Sequence, residues 1–257
     1  VENRWKFFER FTYKSLRHQS VWGQFEILLL CGHYHREFTS RLKLPENVRV
    51  CYNRAREIYS RASGSGASHV AITRIDSDDL MAPEAMAQVI NGTIAHKKPD
   101  RRAALIFRKN LQWNIHNEFI GPHYRQAPPF VTHIFPTKLM RDDWMRFEAE
   151  HYLEHGRMGG RDPETVELGE HQILVVEHTS NISVLKRDGE AVFLTEAQRV
   201  NLIADDDRIQ IDRPKMFEAL ARFGVDPCKD RRQWPVYVDV LNGVWAVENG
   251  GIDRWDT

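Results

Sequence analysis

Between Phe25 and His96 the chain alternates short apolar runs with helix-length stretches, and no other feature restricts its fold as much. Phe25 to Leu30 is a continuous apolar run too short for a helix, suited to a strand covered on both faces of a parallel sheet. Val48 to Tyr52 (VRVCY) reads as a second strand after the break at Pro45, and Ala55 to Ala62 as a crossover helix ending at Gly64-Ser65-Gly66. His69 to Ile75 (HVAITRI) reads as a third strand. A helix from Pro83 to about His96 follows, with proline at its start, where the missing N–H costs nothing. This alternation predicts a doubly wound sheet.

On the N-terminal side, Trp5, Phe8, Phe11 and Leu16 recur at helical spacing up to Gln19, and Gly23 stops the pattern. A doubly wound sheet normally opens on a strand. Either that strand lies outside the given sequence or another segment fills its place. After Lys98, Ala103 to Trp113 and Phe130 to Phe135 read as strands separated by a Pro- and Gly-bearing loop, which predicts antiparallel strands added to a parallel core. Arg141 to His155 reads as a helix, Gln172 to Val176 as a strand, and Pro214 to Phe223 as a helix before Gly224. The expected fold class is α/β: a mostly parallel sheet flanked by helices, with added antiparallel strands. Residues 1–185 form the expected core, and residues 186–257 a helical or irregular extension packed on it.

With 257 residues, 42% of them hydrophobic and 11% aromatic, the chain can bury the core of one large α/β domain with or without an appendage. Its 36 basic and 36 acidic residues cancel, which argues against a nucleic-acid partner and requires any anionic ligand to be held locally. The longest apolar run, Phe25 to Cys31, is far short of a bilayer span, and no signal-peptide pattern opens the sequence, so a cytoplasmic location is the expectation. Cys31, Cys51 and Cys228 give neither an even disulfide framework nor a CxxC pair for zinc.

Asp76-Ser77-Asp78-Asp79 falls where the strand from His69 gives way to a turn, and ligands of open α/β sheets sit beyond the carboxyl ends of strands. Carboxylates two apart in a turning backbone can aim one at Mg²⁺ or Mn²⁺ and the other at a ribose or a water. The competing reading is that Asp78 and Asp79 cap the helix near Pro83. An EF-hand loop fits less well, because the glycine at its sixth position and the glutamate at its twelfth are missing.

Three stretches carry a resemblance. Tyr13-Lys14-Ser15-Leu16-Arg17-His18-Gln19-Ser20, followed by Phe25 to Leu30, resembles the opening of family-two glycosyltransferases, where a helix ending in Ser-Leu-x-x-Gln leads into an apolar strand. Thr73 to Asp79 is similar to the TRxDxDD segment of a bacterial rhamnosyltransferase group, and Val175 to Ser183 to that group's late strand ending in His-x-x-Asn-[IV]-Ser. Together they cover roughly residues 5 to 185, in the family's order. The resemblance implies a GT-A fold, a divalent metal (Mn²⁺ or Mg²⁺) held by Asp76, Asp78 and Asp79, and a nucleotide-diphosphate sugar as donor. It also implies His178 as the late histidine that completes the metal shell; without it, a histidine after an apolar strand reads as structural. The family's base-contacting Asp is missing after Leu30-Cys31-Gly32, which leaves the donor's base open.

An inverting transfer needs a carboxylate or histidine near the acceptor hydroxyl. Asp143, Glu150 and Glu154 lie where GT-A enzymes place such a base, although acidic residues on a helix face are commonly solvated. His155 enters through the similarity of Glu154 to Met158 to the rhamnosyltransferase group; as a helix-closing histidine it has a structural reading too. Arg74, Lys186 and Arg187 flank the metal motifs and are candidates for the diphosphate, with Asp76 beside them; a solvated loop is the plainer reading of the latter two cations. The expected function is a metal-dependent, inverting transfer of a sugar, with rhamnose suggested by the group's name, to a glycan or other hydroxyl acceptor. A lipid-linked acceptor would bring peripheral membrane contact, though no basic amphipathic helix supports it. The alternatives are a phosphoryl-transfer or phosphoester-cleaving enzyme using the same carboxylates, and a non-catalytic binding module that keeps the fold.

Overall fold

The computed structural model describes Trp5, Phe8, Glu9 and residues 11–114, 119–124, 130–140, 165–177 and 213–225. Helix α1 (Thr12–Arg17) buries Thr12, Tyr13, Ser15 and Leu16, so almost its whole circumference is inside. The apolar run after it forms β1 (Ile27–Leu30), paired in parallel with β2 (Val48–Cys51). Burial on both faces does not hold for β1: its residues are only half-buried and Leu30 is 49% exposed. A short helix α2 (Arg36–Thr39) lies between these strands. Helix α3 (Arg54–Gly64) starts at Asn53, whose side chain accepts the Arg56 N–H, and its C-terminal loop turns through Gly66 at φ +66°.

Next come β3 (His69–Thr73), the acidic turn, and β4 (Leu80–Met81), a two-residue strand. Sequence patterning missed β4 because two residues show no alternation. Helix α4 (Ala85–His96) buries Ala85, Met86, Val89 and Gly92. A Cβ at Gly92 would lie 3.0 Å from a Leu105 methyl and 3.2 Å from one of Leu168, so this glycine sets the close approach of α4 to the sheet. Pro83 lies just outside α4, not in its first turn as expected.

The long stretch from Ala103 is not one strand. It divides into β5 (Ala103–Ile106) and β6 (Lys109–Asn114), which belong to different sheets. The remaining strands are β7 (Phe119–Tyr124), β8 (Val131–Pro136), β9 (Thr165–Glu167) and β10 (Ile173–Glu177), followed by helix α5 (Arg213–Arg222). Sequence reading took β7 for a loop because of Gly121 and Pro122. Among the described strands it stands at the edge of its sheet, where a proline is tolerated.

The described strands form a β1-β2 pair and two four-stranded sheets, ordered β3-β8-β5-β9 and β4-β10-β6-β7. Helices and mixed sheets make this an α/β fold, but the expected mostly parallel arrangement needs correcting. Three strand pairings are parallel and four antiparallel. In particular, β3 pairs antiparallel with β8, from His69 opposite Pro136 to Thr73 opposite Thr132. The strand period reports which faces are buried and carries nothing about the direction of a neighbour.

Strands β4 and β10 are buried on both faces. Leu80, Leu174 and Val176 enter a cluster with Phe11, Trp113 and, from α5 and the turn after it, Leu220, Phe223 and Val225. Met81 and Ile173 enter a second cluster with Leu16, Met86, Val89 and Leu105. Each fully buried leucine of this kind contributes about 1.5–3 kcal/mol relative to exposure. No helix among the described residues is long and apolar enough to cross a membrane.

Candidate functional site

The acidic turn lies where the sequence places it, immediately past the carboxyl end of β3. Arg74 N–H still reaches the Val131 carbonyl at 3.5 Å, and the Asp79 N–H closes a turn onto the Asp76 carbonyl at 3.3 Å. The turn also carries the chain from one sheet to the other, since β3 and β4 belong to different ones.

Its carboxylates differ in surroundings. Asp76 is partly exposed, and Arg74 donates to its Oδ1 from 3.1 Å. Asp78 is 9% exposed and Asp79 4%. Asp79 Oδ1 accepts the Val176 backbone N–H at 3.0 Å, bridging 97 residues of sequence.

The helix-capping reading does not hold for α4. That helix begins at Ala85, its N-cap is Glu84, and no side-chain cap bond is made there. Instead its first turn is satisfied from just past the end of α1: Gln19 Oε1 accepts the Met86 N–H at 2.9 Å. The same side chain, 3% exposed, donates through Nε2 to the carbonyls of Ala82 (2.8 Å), Ser15 (3.1 Å) and Met81 (3.4 Å). Ser15 Oγ accepts the Met81 N–H at 3.2 Å, and Ser20 donates to Glu84 at 2.9 Å. The Ser-Leu-x-x-Gln run is thus a brace under the segment that leaves the acidic turn. Sequence reasoning gave these residues no role, although they stood in the run that carried the resemblance.

A second group gathers beyond the carboxyl ends of β1 and β2. His33 stacks on Tyr52 with ring centroids 5.7 Å apart, the Arg36 guanidinium lies 4.9 Å from the Tyr52 centroid, and Tyr34 is almost fully exposed. Burial pushes the Cys31 thiol pKa up at the same edge.

Of the residues singled out from sequence, Arg74, Asp76, Asp78 and Asp79 come together at this turn. Asp143, Glu150, Glu154, His155, His178, Lys186 and Arg187 lie outside the described residues. Among the described residues no three His, Cys, Asp or Glu side chains gather as a metal-binding group. Two hard-oxygen donors still fit Mg²⁺ or Mn²⁺, because such ions commonly take one or two carboxylates and complete their shell with phosphate oxygens and water. The chain matches no family model and no curated protein.

Proposed function

We propose that the chain is a GT-A type glycosyltransferase that moves a sugar, rhamnose being the sugar the resemblance suggests, from a nucleotide diphosphate to a glycan or other hydroxyl acceptor, with inversion. The observation that carries this reading is the placement of Asp76 and Asp78 in a turn just beyond a strand's carboxyl end, with helix α4 capped by other means. Ligands of open α/β sheets bind beyond the carboxyl ends of strands, which supports a ligand role for these two carboxylates. Asp76 and Asp78 would hold Mn²⁺ or Mg²⁺, which when bound offsets the charge of the diphosphate leaving group. Arg74, already beside Asp76, would donate to a phosphate oxygen. Asp143, Glu150, Glu154 and His155 are the candidates for the group that takes the acceptor proton, and His178, Lys186 and Arg187 for completing the metal and diphosphate contacts.

Thermal unfolding with Mn²⁺ and a panel of nucleoside diphosphates tests the proposal. A matching pair at 100 times its dissociation constant should add about 2.7 kcal/mol of stability. Absence of metal-dependent stabilisation by every nucleotide, with the fold intact by circular dichroism, would refute it. The panel member that protects at the lowest concentration would name the base.

A further inference from the structure

We propose that Asp79 is a positioning residue that splices the acidic turn to β10, leaving Asp76 and Asp78 as the carboxylates offered to a metal. The inference rests on the metal reading of the turn given above.

The antiparallel register of β4 and β10 sets Met81 opposite Ile173 and Leu80 opposite Leu174, and the Ala82 N–H continues it by donating to the Gln172 carbonyl at 2.8 Å. Extended by the same register, residue 78 would stand opposite Val176 and take its N–H through the backbone. The chain has already left the ladder there, because residues 76–79 form the turn. A buried N–H without an acceptor costs about 1–3 kcal/mol. The Asp79 carboxylate fills the gap: its Oδ1 receives the Val176 N–H at 3.0 Å in place of the absent ladder carbonyl.

Two consequences follow. The backbone at Asp78 is released from strand geometry without orphaning the strand beside it. The turn is also fixed against the far end of β10, which ends at Glu177, one residue before His178 in the chain. Asp79 therefore acts through β10 and through the turn's own backbone.

Three variants of the full chain separate this role from ligation: Asp79→Asn, Asp79→Ala and Asp78→Asn. The probe is Mn²⁺ with inorganic pyrophosphate, which needs no knowledge of the nucleotide base, and the readout is the Mn²⁺ dissociation constant from the spin-resonance signal of the free ion. Hydrogen exchange at Val176 is followed in parallel. Asp79→Asn keeps an oxygen acceptor, so Val176 stays protected and Mn²⁺ affinity falls by no more than about fivefold, the effect of one lost neighbouring charge. Asp79→Ala exposes Val176 to exchange and weakens Mn²⁺ by roughly 10- to 100-fold, the loss typical of a group that orients a ligand. Asp78→Asn weakens Mn²⁺ at least as much while Val176 remains protected.

Loss of Mn²⁺ affinity in Asp79→Asn equal to that in Asp78→Asn would overturn the proposal and make Asp79 a ligand. Unchanged protection of Val176 in Asp79→Ala would remove the splice itself. Wild-type protein that binds no Mn²⁺ while Val176 is protected would sink the metal reading, and the positioning role with it, yet leave the splice as a fold element.

Discussion

Replacing Gln19 with alanine removes the brace between α1 and the segment after the acidic turn. The Met86 N–H, in the first turn of α4, loses its acceptor, and that helix has no side-chain cap of its own to compensate. Loss of an N-terminal acceptor costs about 1 kcal/mol. The Ala82 carbonyl loses a 2.8 Å donor in a fully buried setting, and an unsatisfied buried group adds about 1–3 kcal/mol. A total near 3 kcal/mol follows, which for a chain of this size lowers the melting temperature by roughly 6–12 °C. Ser15→Ala removes only the Met81 contact and the bond to the Thr12 carbonyl and should cost about 1 kcal/mol. Because both side chains hold the same backbone, the double variant should lose less than the sum. Denaturant unfolding of the four proteins measures these values. A Gln19→Ala loss below about 1 kcal/mol would mean that water or the backbone meets those groups without the amide, and the brace would be incidental.

Three further perturbations test other parts of the structure. Gly92→Ala should stay within about 1 kcal/mol of wild type, since gained helix propensity offsets contacts of 3.0 and 3.2 Å with yielding methyls, whereas Gly92→Val should lose about 2–3 kcal/mol by equilibrium unfolding. Arg74→Ala frees the Asp76 carboxylate and should tighten Mn²⁺ alone by up to about fivefold, the ~1 kcal/mol limit of an exposed pair, while reducing the gain that pyrophosphate brings, both read by calorimetry. In a Cys228→Ser background, alkylation at pH 8 should be slow. Burial raises the Cys31 pKa, so its thiolate fraction falls below that of an ordinary thiol and recovers only as pH climbs through the raised value, while Cys51 is buried. Rapid labelling at neutral pH would contradict that burial.

The elements that sequence patterning located were those whose signal is local. β2, β3, β10, α3 and α5 carry an apolar run or helical spacing closed by a glycine or proline, and each appears within two residues of its expected bounds. What escaped depends on partners far along the chain. β4 exists because Ile173 and Leu174 lie beside it, and the sheet change at Phe107 and Arg108 because β8 and β10 stand on different sides. The place of the acidic turn was legible because its residue types and its position after an apolar run agree. That Asp79 faces a backbone N–H 97 residues away was not legible, since an aspartate's letter is the same whether it meets a cation or an amide. The capping alternative failed for a similar reason: the acceptor for α4 comes from Gln19, 67 residues before Met86.

The turn from Asp76 to Asp79 also lies in the link between β3 and β4, one of the seams where one sheet hands the chain to the other. Sliding of the two sheets against each other would strain this turn, as it would the short links at Phe107 and Arg108 and between β9 and β10. A multivalent ion gripping the turn would act as a rivet across that seam. Its binding free energy would then appear as added stiffness between the sheets, and slower exchange of amides in β3 and β10 upon loading would measure how much of it is mechanical.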